Sequence, residues 1–279
     1  MATDFAARRE AFRKLHESGC FVIPNPWDIG SAVYLKHLGF KALATTSAGF
    51  AFSRGKPDGA VTRDEMVAHI SEIVAATDLP VNADFESGYA ASPAGVAEAV
   101  KMCERTGVAG LSIEDSTRDP KKPLYELPEA LERVQAAREA LKGTGTLLVA
   151  RAECFLVGHA DPLKESLRRL RAYAEAGADL LYAPGPKDRE QIREIVLAVA
   201  PKPVNVLMAW NLGLRVEDLA ELGVRRISVG SGLARAAWGG FIRTAEELAK
   251  GSFELFGDTA SMTDLNGLFR GRETKTTGS

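Results

Sequence analysis

The chain has 279 residues, 46% of them hydrophobic and 26% charged, with 35 basic and 37 acidic side chains and a formal net charge of −2. This mixed, near-neutral charge offers no electrostatic case for nucleic acid or an anionic membrane. No apolar run approaches the roughly 20 residues of a membrane span. The N-terminal stretch MATDFAARREAFRKLHESG carries charges throughout and lacks an apolar core, which argues against a secretory leader. Cys20, Cys103 and Cys154 are widely spaced and form no CxxC or Cys/His zinc pattern, so a reduced, cytoplasmic setting is expected.

Eight short β-rich runs follow one another: CFVIPN (20–25), KALATTS (41–47), PVNADF (80–85), GLSIED (110–115), TLLVARAE (146–153), DLLYAP (179–184), PVNVLM (203–208) and RRISVG (225–230). Most are nearly continuous apolar runs, as parallel strands covered on both faces require. Helical patterns separate them. In SPAGVAEAVKMCERTG the apolar positions Val96, Ala99, Val100 and Cys103 recur at helical spacing before Gly107. Asp161-Pro162 opens a second helix, with Leu163, Leu167, Leu170 and Tyr173 on one face and Gly177 as its stop.

Eight βα units predict a single (β/α)8 TIM barrel over residues 1–279. An open doubly wound sheet would normally carry a nucleotide fingerprint after its first strand, and NPWDIGSA has no GxGxxG. Residues 231–270 form a closing helix and an extension longer than one barrel unit needs, suited to packing on a neighbouring subunit. Residues 271–279 read as a disordered tail.

In such barrels chemistry sits at the C-terminal ends of the strands. Those ends supply Asn25, Thr46-Ser47, Asp84 with Glu86, Glu114-Asp115, Arg151 with Glu153, Asn205 and Gly230-Ser231-Gly232. Asp84, Glu86 and Glu114 would repel one another unless a cation met them. A hard ion such as Mg2+ or Mn2+ suits an all-oxygen set, while capping of helices or pairing with Lys and Arg is the plainer alternative. Arg151 is expected either to grip a substrate carboxylate or to bridge Glu114 or Glu153. In TTSAGFA, the backbone N–H groups around Ser47, Ala48 and Gly49 are candidates for an anion cradle, as is SVGSGLAR at the eighth strand. Asn205 is a further candidate substrate contact. No lysine ends a strand, which argues against a Schiff-base aldolase. Cys154 reads as a structural thiol, and His159 as a solvated loop residue.

The order TTSAG, DFESGY, GLSIED, VARAE resembles the isocitrate lyase and phosphoenolpyruvate mutase superfamily from about residue 20 to about 240. Asp84-Phe85-Glu86-Ser87-Gly88-Tyr89 matches its third-strand motif, with Glu in the second acidic place, and Ile113-Glu114-Asp115 matches its fourth-strand motif. The resemblance implies a Mg2+-dependent barrel enzyme acting next to a 2-oxo acid through an enolate-like species. It implies that Asp84 binds the metal directly, that Glu86, Glu114 and Asp58 hold its waters, and that the Ser47–Gly49 backbone and Arg151 hold the oxo acid. It further implies a homo-oligomer, commonly a tetramer, that exchanges its last helix.

The loop STRDPKKPLYELP departs from two branches. It lacks the Lys-[Lys/Arg]-Cys-Gly-His motif of the lyases and the Lys-x-Asn of the mutases. The resemblance then points to the less defined branch with oxaloacetate decarboxylase-like members. The expected activity is Mg2+-dependent cleavage or decarboxylation of a small 2-oxo dicarboxylate, with Arg151 and Glu114 at the reacting centre. P–C chemistry aided by Lys121 or Lys122, or oxo-acid binding without turnover, are the alternatives.

Overall fold

The computed structural model describes residues 4–273. All eight expected strands form, each shorter than its apolar run: β1 (Phe21–Ile23), β2 (Leu43–Ala44), β3 (Val81–Asp84), β4 (Gly110–Glu114), β5 (Leu147–Arg151), β6 (Leu180–Tyr182), β7 (Val204–Leu207) and β8 (Arg226–Ser228). They are parallel and lie in the order β1-β8-β7-β6-β5-β4-β3-β2. No ladder joins β1 to β2, but the Ala44 N–H donates to the Pro24 carbonyl at 3.0 Å and brings the two edges together. The result is a nearly closed (β/α)8 barrel, as the alternation of elements predicts.

The surrounding helices begin where the sequence supplies caps. Thr62 closes a capping box with Glu65 ahead of α4 (Arg63–Ala76). Ser92 and Asp161 cap α5 (Pro93–Glu104) and α7 (Pro162–Glu175), each with proline in the first turn. The apolar face read from sequence in α5 is fully buried, with Val96, Ala99, Val100 and Cys103 all at 0% exposure. In α7, Leu170 and Tyr173 are buried while Leu163 and Leu167 are only partly covered. The N-terminal helix α1 (Phe5–Leu15) plugs the opposite end of the barrel. Its Phe12 packs with Ile23, Ala42, Ala44, Ala109 and Leu147, which leaves the C-terminal end open.

The chain closes with α10 (Gly232–Ala249), a 3-10 turn (Glu254–Asp258) and α11 (Met262–Glu273). Trp238, Phe241 and Ile242 of α10 are exposed, as are Phe253 and Phe256. α11 packs on α2 (Ile29–His37) of its own chain, with Phe269 over Gly30. The expected tail at 271–279 is helical as far as Glu273, and residues 274–279 lie outside the described residues. Among the described residues no helix is long and apolar enough to cross a membrane.

Asp115, just past β4, ties the C-terminal end of the barrel to its helices. It is 3% exposed and accepts from Arg169 at 3.1 Å, the Tyr173 hydroxyl at 2.6 Å and the Glu153 N–H at 2.8 Å. Removing one partner of a buried pair leaves the other charge uncompensated. Asp115→Ala is therefore expected to destabilise the fold by about 3–5 kcal/mol, read as a lower urea midpoint. A loss under 1 kcal/mol (roughly the scale of an exposed pair) would refute this role.

Candidate active site

The site begins with how β3 ends. Asp84 is the last residue of the strand, and its N–H donates to the Thr45 hydroxyl at 2.9 Å. Its carboxylate is held on both sides. Oδ2 accepts from the Ser47 N–H at 3.0 Å and from the Ser47 hydroxyl at 2.9 Å, and Oδ1 accepts from Arg151 Nη1 at 2.8 Å. After Asp84 the backbone turns sharply. Glu86 and Tyr89 adopt φ of 45° and 51°, and Gly88 between them 86°. Non-glycine residues held in this region signal strain that the surroundings must maintain. The buried Arg133 does so by donating to the carbonyls of Ser87, Ala90 and Ala91. The Glu86 carbonyl, in turn, accepts from the Glu114 N–H at 2.9 Å.

Arg151, at the end of β5, lies at the centre. It donates to Glu153 at 2.9 Å and Asp84 at 2.8 Å, and its third nitrogen lies 3.2 Å from Glu114. Its guanidinium also lies 5.0 Å from the Tyr182 ring. Burial opposes its charge, but the fields of Glu153, Glu114 and Asp84 outweigh burial and hold it cationic. The acids answer in the opposite sense. Burial raises Glu114 well above the usual carboxylate range, against the pull of Arg151, and it raises Glu153 as well. Of the two roles foreseen for Arg151, the bridge is the one seen here: it meets acids at the ends of three strands.

The loop after β4 supplies a second cation that the sequence reading did not single out. A bridge between Ser116 and Leu124 folds it into a hairpin, and Arg118 at φ 60° turns back into the mouth. Its guanidinium lies 3.2 Å from Glu86, 3.6 Å from Asp58 and 3.9 Å from Glu114. The Tyr89 hydroxyl donates to the other oxygen of Glu86 at 2.8 Å. Burial raises the Glu86 carboxyl too, with Arg118 opposing. The signal available in sequence was a lone arginine three residues beyond Asp115, indistinguishable from a solvated loop charge. Lys121 and Lys122, which were considered for phosphonate chemistry, are exposed and do not line the cavity.

In both candidate anion cradles some of the backbone donors are engaged within the protein. TTSAGFA is not a loop: Thr46 caps the short helix α3 (Ser47–Ser53). The Ser47 N–H is taken by Asp84 and the Gly49 N–H by the Thr46 hydroxyl at 3.2 Å. Among the described residues no protein acceptor meets the Ala48 N–H, so one donor of the three remains for a ligand. At β8 the Val229 and Gly230 N–H groups both donate to Asn25 Oδ1 at 2.9 Å. Asn205 lines the cavity but spends its amide on Ser228 and Arg226, at 2.9 and 2.8 Å. Cys154 is buried, and burial pushes its thiol up to about 12, as befits a structural thiol. His159 accepts from the Asp161 N–H ahead of α7.

Asp58, Asp84, Glu114, Arg118, Arg151 and Glu153 line a cavity of about 310 Å3 at the C-terminal end of the barrel. Five carboxylates (Asp58, Asp84, Glu86, Glu114 and Glu153) face two guanidiniums. The donor set is all oxygen and outnumbers its cations, which is the chemistry of a hard divalent ion. As placed, however, no three acids or imidazoles among the described residues converge on one ion position. Arg118 stands between Glu86, Glu114 and Asp58.

The mouth of the barrel sets acids against arginines, and among the described residues no lysine, cysteine or histidine lines it. The phosphoenolpyruvate phosphomutase family model matches residues 12–249, and the chain belongs to that family, within the isocitrate lyase and phosphoenolpyruvate mutase superfamily. A candidate lyase/mutase from Burkholderia cenocepacia J2315 is 46% identical with a TM-score of 0.92, over 95% of this chain and 97% of that one. The oxaloacetate decarboxylase of Pseudomonas putida is 31% identical over 226 residues, 78% of this chain and 76% of the relative. The structure of an oxaloacetate acetylhydrolase with its product oxalate is 27% identical, TM-score 0.83, over 95% and 94% of the two chains.

The raised proton affinity of Glu114 has a measurable consequence. Its folded form binds more protons than its unfolded form, so its own contribution to native stability falls as pH rises above the ordinary 4.5. Glu153 and Glu86 act in the same sense, while His16 and His69, whose pKa burial lowers to about 3 and about 4, act in the opposite sense up to about 6.5. Glu114→Gln is expected to shift the slope of the urea midpoint against pH above 4.5 in the positive direction relative to wild type. An unchanged slope would mean that Glu114 is ionised without penalty in the fold.

Proposed function

We propose that the protein is a Mg2+-dependent carbon–carbon lyase that decarboxylates a small 2-oxo dicarboxylate resembling oxaloacetate. The observation that carries this reading is the composition of the mouth. Acids and arginines line it, and no lysine for a Schiff base or cysteine for a thiol acid is present among the lining residues. Decarboxylation of a 2-oxo acid requires an electron sink at the ketone and exclusion of water, and it does not require a strong base.

Asp84, Glu86, Glu114 and Asp58 are the residues that would hold the divalent ion, which when bound supplies a Lewis acid for the ketone and enolate oxygens. The Ala48 N–H offers a free donor for the oxo-acid end. Arg151 keeps Asp84, Glu114 and Glu153 in fixed relative positions and brings positive charge beside the developing enolate. Glu114, which burial makes a better proton holder than an ordinary carboxyl, can carry a proton on its Oε1, the oxygen facing Arg118. The Ser116–Leu124 hairpin, which contributes Ser116 and Arg118 to the cavity lining, would limit water entry if it closes over the mouth. The exposed Trp238, Phe241 and Ile242 of α10 support assembly as a homo-oligomer.

Oxaloacetate with the purified protein and Mg2+ should yield pyruvate above the metal-only background. Asp84→Ala should lower that rate by about 10²–10³-fold, the usual scale for one electrostatic contact in a water-excluded site. No protein-dependent pyruvate would defeat the reading. Phosphorus NMR on phosphonopyruvate distinguishes P–C chemistry, and tight 2-oxo acid binding without product would mark a binder that does not turn over.

A further inference from the structure

The floor of the cavity holds a charge that the mouth does not explain. Arg226, the first residue of β8, is 3% exposed and lines the cavity from inside the barrel. Its Nε donates to Asn205 Oδ1 at 2.8 Å and its Nη1 to Asn82 Oδ1 at 3.3 Å. Its Nη2 meets no protein acceptor among the described residues, and no carboxylate there lies within ion-pair distance of it. Burial lowers its pKa to about 9, and the one group that favours its charge is the Tyr182 phenol.

The other buried arginines are provided for. Arg151 and Arg169 have carboxylates, and Arg133 is wrapped by three carbonyls and stacked on Tyr125 at 4.1 Å. Arg133 also lacks a carboxylate, but it lies outside the cavity and both its terminal nitrogens are taken by carbonyls. Arg226 is the buried arginine among the described residues that lines the cavity with a terminal nitrogen left without a protein acceptor, and such a cation is costly unless an anion joins it.

Its position says what kind of anion fits. Nη1 bonds to Asn82, which sits two residues before Asp84 on β3 and faces the same side of the sheet, about 6.6 Å lower along the strand. The guanidinium therefore lies one layer beneath the acids and Arg151. That separation suits a short dicarboxylate with one end in each layer. We infer that Arg226, flanked by Asn82, Asn205 and Ser228, forms a second, deep anion subsite that takes one carboxylate of such a ligand. The identity of that ligand as a substrate rests on the function proposed above; the subsite itself does not.

Succinate, which cannot react, is the probe. Calorimetric titration into the wild-type protein, Arg226→Gln and Arg226→Lys, all in the same magnesium-containing buffer, tests the assignment. Saturable binding to wild type is expected, weakened about tenfold or more in Arg226→Gln and less in Arg226→Lys, with unchanged circular dichroism. Equal affinity in wild type and Arg226→Gln, or no binding to wild type, overturns it. If Arg226→Gln fails to fold, a bromide soak of wild-type crystals decides. An anomalous peak against the Arg226 guanidinium upholds the subsite, and its absence there removes it. Displacement of succinate by chloride would identify a subsite open to a free inorganic anion, and failure to displace one that requires the dicarboxylate; either result retains Arg226 as the anion ligand. Because turnover is not read, a protein inactive on oxaloacetate that still binds succinate through Arg226 would lose only the decarboxylase reading.

Discussion

One buried guanidinium organises the working end of this barrel. Arg151 meets Asp84 from β3, Glu114 from β4 and Glu153 just past its own strand β5. Each of those acids would be expensive to bury alone, and each neighbours another of like charge. A single planar cation with a fixed fork of donors resolves all three at once. The strand ends are thereby held at the spacing that the barrel register sets, and the mouth becomes a rigid polar ring on an apolar scaffold.

The ring is not neutral even so. With Arg118 added from the hairpin, two cations still face five carboxylates, and burial pushes protons onto Glu114, Glu153 and Glu86. That surplus makes the mouth receptive to a divalent ion and resistant to a bare dianion. Beneath it the sign reverses, because Arg226 has no acid of its own. A negative rim above a positive floor gives the cavity an electrostatic axis, which orients any ligand that carries both a metal-seeking ketone and a carboxylate.

Much of this was legible from the chain. Apolar runs such as PVNADF and TLLVARAE end in Asp84, Arg151 and Glu153 because parallel strands are buried along their length and become polar only where they reach the mouth. Asp84, Glu114 and Arg151 could therefore be placed at one rim before any geometry was known. How many donors the cradle at Ser47–Gly49 leaves open was not legible, because a backbone N–H looks free in a sequence, whereas here Asp84 and the Thr46 hydroxyl take two of the three. Arg118 was missed because a loop arginine carries no periodic signature. Arg226 was missed because it opens a strand next to Arg225, and only the barrel interior distinguishes the buried one from the exposed one.

The sequence alone determined the eight-fold alternation, the polar strand ends and the absence of lysine from those ends, since these follow from local periodicity and composition. Tertiary structure alone decided which charge meets which. Arg151 could have bridged one acid or awaited a ligand, and Asn205 could have faced a substrate or satisfied a neighbour. Those outcomes depend on separations of a few ångströms between residues far apart in the chain, for which the linear order holds no information.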